Sequence, residues 1–161
     1  MQSNVTLAPP TLDDGMAVNQ LISECPPLDT NSSYCNLLQC SHFSSTSVAA
    51  FAGDELVGFI SGYLIPERMN TLFVWQVAVS ERARGLGLAS QMLSHILDRD
   101  ICNNVKYIET SITEDNKASL GLFTRFAAKR NVDITSSPWM DKAQHFQNQH
   151  DSEPLVRLGP F

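Results

Sequence analysis

The segment FVWQVAVSERARGLGLASQML, residues 73–93, restricts the fold more than any other part of the sequence. Its apolar run predicts a strand, and the apolar spacing at its end predicts an amphipathic helix. Gly85 and Gly87 allow a tight turn between the two, so the unpaired N–H groups and the positive dipole of the helix N-terminus face a ligand. Arg82 and Arg84 add positive charge there. The segment therefore predicts a diphosphate-binding turn, with a purely structural turn as the alternative.

Hydrophobic periodicity divides the chain into about seven strands and about four helices. The strands are predicted at residues 5–7, 47–52, 56–65, 71–79, 107–112, 132–135 and 155–158. Short connections join the second, third and fourth strands, which indicates an antiparallel meander. Residues 136–152 are polar and predict no element. We expect an α/β (α+β) fold with a mixed, mostly antiparallel central sheet, in a single domain over residues 1–161.

The helices carry start signals and apolar faces. Thr11 followed by Asp14 predicts a capping-box start for the first helix. The second helix is predicted to begin near Asp29 or Asn31, since either side chain is able to cap it. The expected inward-facing residues of the four helices are Val18, Leu21, Ile22 and Cys25; Tyr34, Leu37 and Leu38; Ala89, Met92, Leu93, Ile96 and Leu97; and Leu122, Phe123 and Phe126.

Charge and cysteine content exclude several classes of protein. The 161-residue sequence has a formal net charge of −6 and no basic stripe, so nucleic-acid binding is not expected. Its four cysteines show neither C-x-x-C spacing nor a disulfide framework. Cys40 and His42 lack the second pair of ligands that a metal site needs, so no metal is expected. The N-terminal residues show no signal-peptide pattern and no membrane-span pattern is present, so a cytoplasmic protein without a membrane partner is expected.

Arg82, Gly85 and Gly87 fill the pattern R/Q-x-x-G-x-G/A, which resembles the acetyl-CoA-binding motif of the GNAT superfamily of N-acetyltransferases. The resemblance implies that fold, with acetyl-CoA as cosubstrate. GLGLAS also loosely fits a dinucleotide motif, but three antiparallel strands precede it and Glu109 lies inside the next strand, not at its end. The contacts with the coenzyme that the resemblance implies are Val77, Ala78, Val79, Arg82, Arg84, Gly85, Leu86, Gly87, Leu88, Ala89, Asn116 and Phe123.

Three passages resemble, more narrowly, the diaminobutyrate-acetylating family within that superfamily. They are PPLDTNSSYCNLLQCSHF, LFVWQVAVSERARGLGLASQML and TEDNKASLGLF. The resemblance implies acetyl transfer to the 4-amino group of L-2,4-diaminobutanoate, a step toward the compatible solute ectoine, by a homodimer. It implies substrate contacts at Asp29, Tyr34, Trp75, His150 and Glu153.

The chemistry of this substrate suits those side chains. Fixed anions and an aromatic face recognise a molecule with two ammonium groups. Attack on a thioester requires a neutral amine, so the site needs a base. Glu153 with His150 as relay is our first candidate. Glu109 is the second, with a surface carboxylate as its alternative interpretation. Backbone N–H groups of residues 77–79 are expected to stabilise the oxyanion.

One position departs from the superfamily pattern. Relatives carry a tyrosine seven residues after the asparagine that aligns with Asn116, where it protonates the leaving thiolate, and here that position is Phe123. A thiol with a pKa of about 8.5 leaves without much assistance, so water suffices. Two other functions remain open: acetylation of another small cation such as a polyamine, and a non-catalytic sensor that binds coenzyme A.

Overall fold

A computed structural model describes residues 4–161 of the chain. Seven strands form one sheet in the order β1-β2-β3-β4-β5-β7-β6. This mixed, mostly antiparallel sheet with helices confirms the predicted fold class. The elements are β1 (Val5–Ala8), α1 (Gly15–Ser23), α2 (Ser33–Gln39), β2 (Val48–Ala52), β3 (Glu55–Ile65), β4 (Arg68–Val79), α3 (Leu88–Leu97), β5 (Tyr107–Ser111), α4 (Lys117–Arg130), β6 (Ile134–Met140) and β7 (Glu153–Leu158).

The described chain divides into two compact units. The first contains the residues up to Tyr63 together with Val74–Asn103, and the second contains Leu64–Phe73 together with Asn104–Phe161. Within residues 4–161, no helix has the length and apolar character that crossing a bilayer requires.

The first unit has an apolar core against α1. The predicted inner face of α1 is confirmed for Val18, Leu21 and Ile22, which are buried; Cys25 is also buried but follows the helix, which ends at Ser23. Thr11 N–H donates to the carboxylate of Asp14 at 2.8 Å, which is one half of the predicted capping box. β2 pairs antiparallel with both β1 and β3. The core cluster contains Val18, Leu21, Ile22, Cys25, Cys40, Phe59 and Ala78.

Helix α2 differs from the prediction at both its start and its inner face. Ser32 caps it by accepting a hydrogen bond from Cys35 N–H at 3.1 Å, so neither Asp29 nor Asn31 is the cap. Both predicted caps precede the helix by more than one residue and therefore do not reach its first free N–H groups. Tyr34 is 69% exposed. The fully buried positions are Asn36 and Gln39, because hydrogen bonds between side chains take the place of apolar packing on this face.

The second unit contains β5, β6, β7 and α4. β7 pairs antiparallel with both β5 and β6. β6 runs to Met140, so the prediction that the strand ends at residue 135 and that residues 136–152 contain no element is wrong. Backbone pairing with β7 extends the strand through Ser136 and Ser137, which carry no hydrophobic signal, and as far as Met140. The buried Phe123 and Phe126 confirm two of the three predicted inner residues of α4, whereas Leu122 is only partly buried.

Candidate active site

The turn before α3 has the backbone geometry that its glycines predict. Gly85 has φ 80° and Gly87 has φ 73°, a region where residues with a Cβ are strained. A Cβ built on either glycine meets no atom within 4 Å, so the space beside this main chain is open. α3 begins at Leu88, and the first N–H groups of a helix have no intrahelical partner. An exposed main chain with free donors suits the diphosphate of a coenzyme.

Arg82 and Arg84 are exposed at this turn, as the sequence indicates. Arg82 forms an ion pair with Glu55, which sequence reasoning did not single out. Arg84 Nε donates to the main-chain oxygen of Val79 at 3.1 Å. This hydrogen bond connects the turn to the end of β4, and the positive charge of Arg84 stays at the glycine turn.

The other predicted coenzyme contacts in the first unit fall into two groups. Ala78 and Leu88 have buried side chains, which leaves their main-chain atoms as the groups that a ligand is able to contact. Leu86 is exposed, whereas Val77, Val79 and Ala89 are partly exposed. Coenzyme contacts at these positions stay predictions, and at Ala78 and Leu88 they are limited to main-chain atoms.

Trp75 belongs to an aromatic cluster that sequence reasoning missed in part. Its ring lies 5.8 Å from that of Tyr63 and 6.0 Å from that of Phe43, both in edge-on arrangements. Trp75 keeps 39% of its surface exposed, so it presents an aromatic face. Burial raises the pKa of Tyr63, so its phenol stays neutral. Phe43 is the last residue of PPLDTNSSYCNLLQCSHF, the first passage that resembles the diaminobutyrate-acetylating family, and this position is the sequence signal that could have identified it.

Asp29 and Tyr34 lie in the same unit as this cluster. Asp29 precedes α2, and its main-chain oxygen accepts from Gln76 Nε2 at 3.4 Å. Tyr34 is in the first turn of α2 and is highly exposed, so its ring is available to a ligand. Asp29 is therefore not the cap of α2, and Tyr34 is not a core residue.

Glu109 lies in the second unit and is 2% exposed, so its interpretation as a surface carboxylate is wrong. Arg68 binds both of its oxygens, at 2.8 and 2.9 Å. Arg157 lies opposite Glu109 on β7, and its Nε is 3.5 Å from Oε2 of Glu109. The guanidinium group of Arg157 also lies over the ring of Tyr107. The hydrogen bond to Glu109 raises the pKa of Arg68. An amine would therefore have to compete with arginine for either oxygen of Glu109.

This arrangement predicts a structural effect for Glu109→Gln. The change leaves two arginine charges beside a neutral amide, and both guanidinium groups remain partly solvated. We expect the free energy of unfolding to fall by about 2 kcal/mol. Chemical denaturation measures this loss. An unchanged unfolding free energy contradicts the prediction, and Glu67→Gln, at an exposed carboxylate, is the matched control.

Glu153 and His150 are both partly buried in the second unit. Glu153 begins β7, and its Oε1 accepts from the hydroxyl of Ser111 at 3.1 Å. The ring of His150 stacks on Phe146, and Nδ1 lies 2.7 Å from the main-chain oxygen of Asp151. A carbonyl oxygen only accepts, so Nδ1 carries a proton in this contact. Ser111 was not predicted, because a serine in a strand carries no distinctive signal.

Asn116 and Phe123 are the predicted coenzyme residues of the second unit. Asn116 caps α4 by accepting from Ser119 N–H at 3.2 Å, which is the structural role that its position allowed. Phe123 is 1% exposed and packs in the protein interior. Its ring therefore has no surface to offer a ligand, and coenzyme contacts at both positions stay predictions. Across residues 4–161, the structure brings no three His, Cys, Asp or Glu side chains into a metal-ligating group.

The strand, glycine turn and helix, set in this sheet order, define a class of acetyltransferases. Residues 16–128 match the acetyltransferase (GNAT) family, and the chain belongs to that family. It is 58% identical to the L-2,4-diaminobutyric acid acetyltransferase of Methylotuvimicrobium alcaliphilum over 98% of this chain and 91% of that protein. The protein of the same name from Vibrio parahaemolyticus is 48% identical over 92% of this chain and 82% of its own.

A solved structure has nearly the same fold. It is the diaminobutyrate acetyltransferase EctA from Paenibacillus lautus in complex with its substrate L-2,4-diaminobutyric acid and coenzyme A. The TM-score is 0.94 with 34% identity, over 99% of this chain and 96% of that one. Family membership identifies the chain as an acetyltransferase that uses acetyl-CoA and excludes the dinucleotide alternative for the glycine turn.

Proposed function

We propose that the protein transfers an acetyl group from acetyl-CoA to the 4-amino group of L-2,4-diaminobutanoate, a step of ectoine biosynthesis. The observation that carries this proposal is 58% identity, over 98% of the chain, to a diaminobutyric acid acetyltransferase. The similarity to EctA, whose complex contains diaminobutyric acid and coenzyme A, supports the same substrate. We also propose a single domain over residues 1–161, a homodimer and a cytoplasmic location.

The glycine turn supports the coenzyme half of this function. Acetyl-CoA supplies a thioester, whose carbonyl carbon accepts a nucleophile. The exposed N–H groups after Arg84 bind the diphosphate, and Arg82 and Arg84 add positive charge at the same helix end. Main-chain N–H groups of residues 77–79 orient the acyl end and stabilise negative charge on its oxygen.

The first unit also supplies the groups that suit the amine. Asp29 provides a fixed anion for an ammonium group, and the exposed part of Trp75 offers an aromatic face to the same cation. Tyr34 adds a hydroxyl that is able to bind the carboxylate. A substrate with charges of both signs is recognised better by this set than a simple monoamine, because unmatched groups lose water without compensation.

Glu153 is the better candidate for the base. One of its oxygens accepts from Ser111 and no arginine contact with it is among those described, whereas arginine occupies both oxygens of Glu109. His150 lies three residues before Glu153 in the sequence, and the contact of its Nδ1 with the Asp151 oxygen orients the ring of this proposed proton relay. Glu153 thus removes the amine proton, directly or through His150.

Mass spectrometry of the reaction products tests the substrate. Incubating the protein with acetyl-CoA and diaminobutanoate is expected to give a product that is one acetyl group heavier, modified at the 4-amino group. Turnover of spermidine without turnover of diaminobutanoate contradicts the substrate assignment. Binding of coenzyme A without turnover of either amine supports a non-catalytic sensor instead.

A further inference from the structure

Four side-chain amides form a continuous hydrogen-bonded chain in the first unit, which we name the amide chain. Asn19 Nδ2 on α1 donates to Asn36 Oδ1 at 3.0 Å, and Asn36 Nδ2 donates to Gln39 Oε1 at 2.9 Å. Gln39 Nε2 in turn donates to Gln76 Oε1 on β4 at 3.4 Å. Each inner amide accepts through its oxygen and donates through its nitrogen, so the chain of bonds has one direction.

Both ends of the amide chain hold the loop before α2. Gln76 Nε2 donates to the main-chain oxygen of Asp29 at 3.4 Å, and Asn19 Nδ2 donates to that of Asn31 at 3.2 Å. These two carbonyl groups flank Thr30, in a segment without helix or strand. Side chains from α1 and β4 therefore supply hydrogen bonds that regular secondary structure supplies elsewhere.

The amide chain is a costly way to fill a protein interior. Asn36 and Gln39 are both 0% exposed, and a buried amide stabilises a fold only while its partners are in place. Apolar side chains of similar size fill such a space without that requirement. A buried, directional network does, however, hold its end groups in one arrangement, which is what a binding loop requires.

We propose that the amide chain positions the substrate-binding loop. It fixes Asp29, and through the first turn of α2 it also fixes Tyr34, relative to the strand that carries Trp75. Gln39 is a positioning residue, because a side chain without exposed surface contacts no substrate. This inference rests on the proposed function, in which Asp29 and Tyr34 bind diaminobutanoate. Loss of the amide chain weakens binding of the amine and leaves binding of acetyl-CoA unchanged.

The Gln39→Met variant tests this role, since methionine preserves the approximate size of the side chain and forms neither hydrogen bond. We expect KM for diaminobutanoate to rise about tenfold and KM for acetyl-CoA to change by less than about twofold. Steady-state kinetics with each substrate varied in turn measures both constants. Gln20→Met is the matched control, because Gln20 is exposed on α1 and lies outside the amide chain.

Asn19→Leu provides an independent variant, because Asn19 is only partly buried and leucine favours a helix. The substitution removes the hydrogen bond to the main-chain oxygen of Asn31 and is expected to raise KM for diaminobutanoate. A purely structural role lowers the unfolding temperature without separating the two KM values. An unchanged KM for diaminobutanoate in both variants, or an equal rise in both KM values, overturns the proposal.

Hydrogen exchange gives a readout that does not depend on the substrate. The hydrogen-bonded main-chain amides at the two ends of the loop, those of Leu28, Cys35 and Asn36, are expected to exchange about tenfold faster in Gln39→Met than in Gln20→Met, while those of β2 keep their rates. Equal rates in the two variants overturn the positioning role. If the wild-type protein does not acetylate diaminobutanoate, the proposed function fails, and the exchange rates still decide whether the amide chain fixes the loop.

Discussion

Glu153→Gln is expected to lower kcat by about 100-fold or more, because the amide has the same shape as the carboxylate but does not accept the amine proton. Its Oε1 continues to accept from the hydroxyl of Ser111, so the local structure is retained. KM for acetyl-CoA is expected to stay within about twofold of the wild-type value. Steady-state rates at saturating diaminobutanoate and acetyl-CoA measure the effect.

Glu109→Gln is the informative comparison for this prediction. It makes the same chemical change in the same unit, at a carboxylate that Arg68 already holds through both oxygens. We expect the folded Glu109→Gln protein to retain kcat within about threefold of wild type. A large loss of kcat in Glu109→Gln, with little loss in Glu153→Gln, contradicts our assignment and transfers the role of base to Glu109.

Gly87→Ala is expected to raise KM for acetyl-CoA by about tenfold or more, since alanine is strained at φ 73° and its Cβ enters the open space beside the turn. Gly87 directly precedes α3, so any shift of its backbone redirects the N–H groups proposed to bind the diphosphate. Calorimetric titration with coenzyme A is expected to show the same loss of affinity.

Gly53→Ala separates backbone strain from ligand binding. Gly53 has φ 62° in the turn between β2 and β3, and a Cβ built there also meets no atom within 4 Å. Both substitutions therefore cost about 1–2 kcal/mol of backbone strain. Only Gly87→Ala is expected to weaken coenzyme binding. An equal effect of the two changes on KM for acetyl-CoA contradicts a direct role for the glycine turn.

Local features of the site were predictable because a short stretch of sequence carries their cause. Positive φ angles require glycine, and this predicted the turn at Gly85 and Gly87. The spacing of apolar residues predicted the inner faces of α1 and α4. By contrast, the local sequence did not distinguish Ser32, which caps α2, from Asp29 or Asn31. All three residue types cap helices well.

Glu109 and Gln39 illustrate what depends on distant parts of the chain. A glutamate in a strand is expected at the surface, and it becomes a buried ion-paired group only because Arg68 and Arg157 lie beside it. Gln39 interrupts the apolar pattern of α2, and its burial depends on partners from α2 itself and from β4. No spacing rule links residues 37 positions apart.

The sequence by itself determined the strand, glycine turn and helix, the order of the elements and the family resemblance, because periodicity and backbone restrictions act over a few neighbouring residues. The tertiary structure alone decided that Arg68 and Arg157 lie against Glu109, that the hydroxyl of Ser111 donates to Glu153, and that an amide chain holds the loop of Asp29. Burial and hydrogen-bond partners come from residues far apart in the sequence, so no short stretch of the chain predicts them.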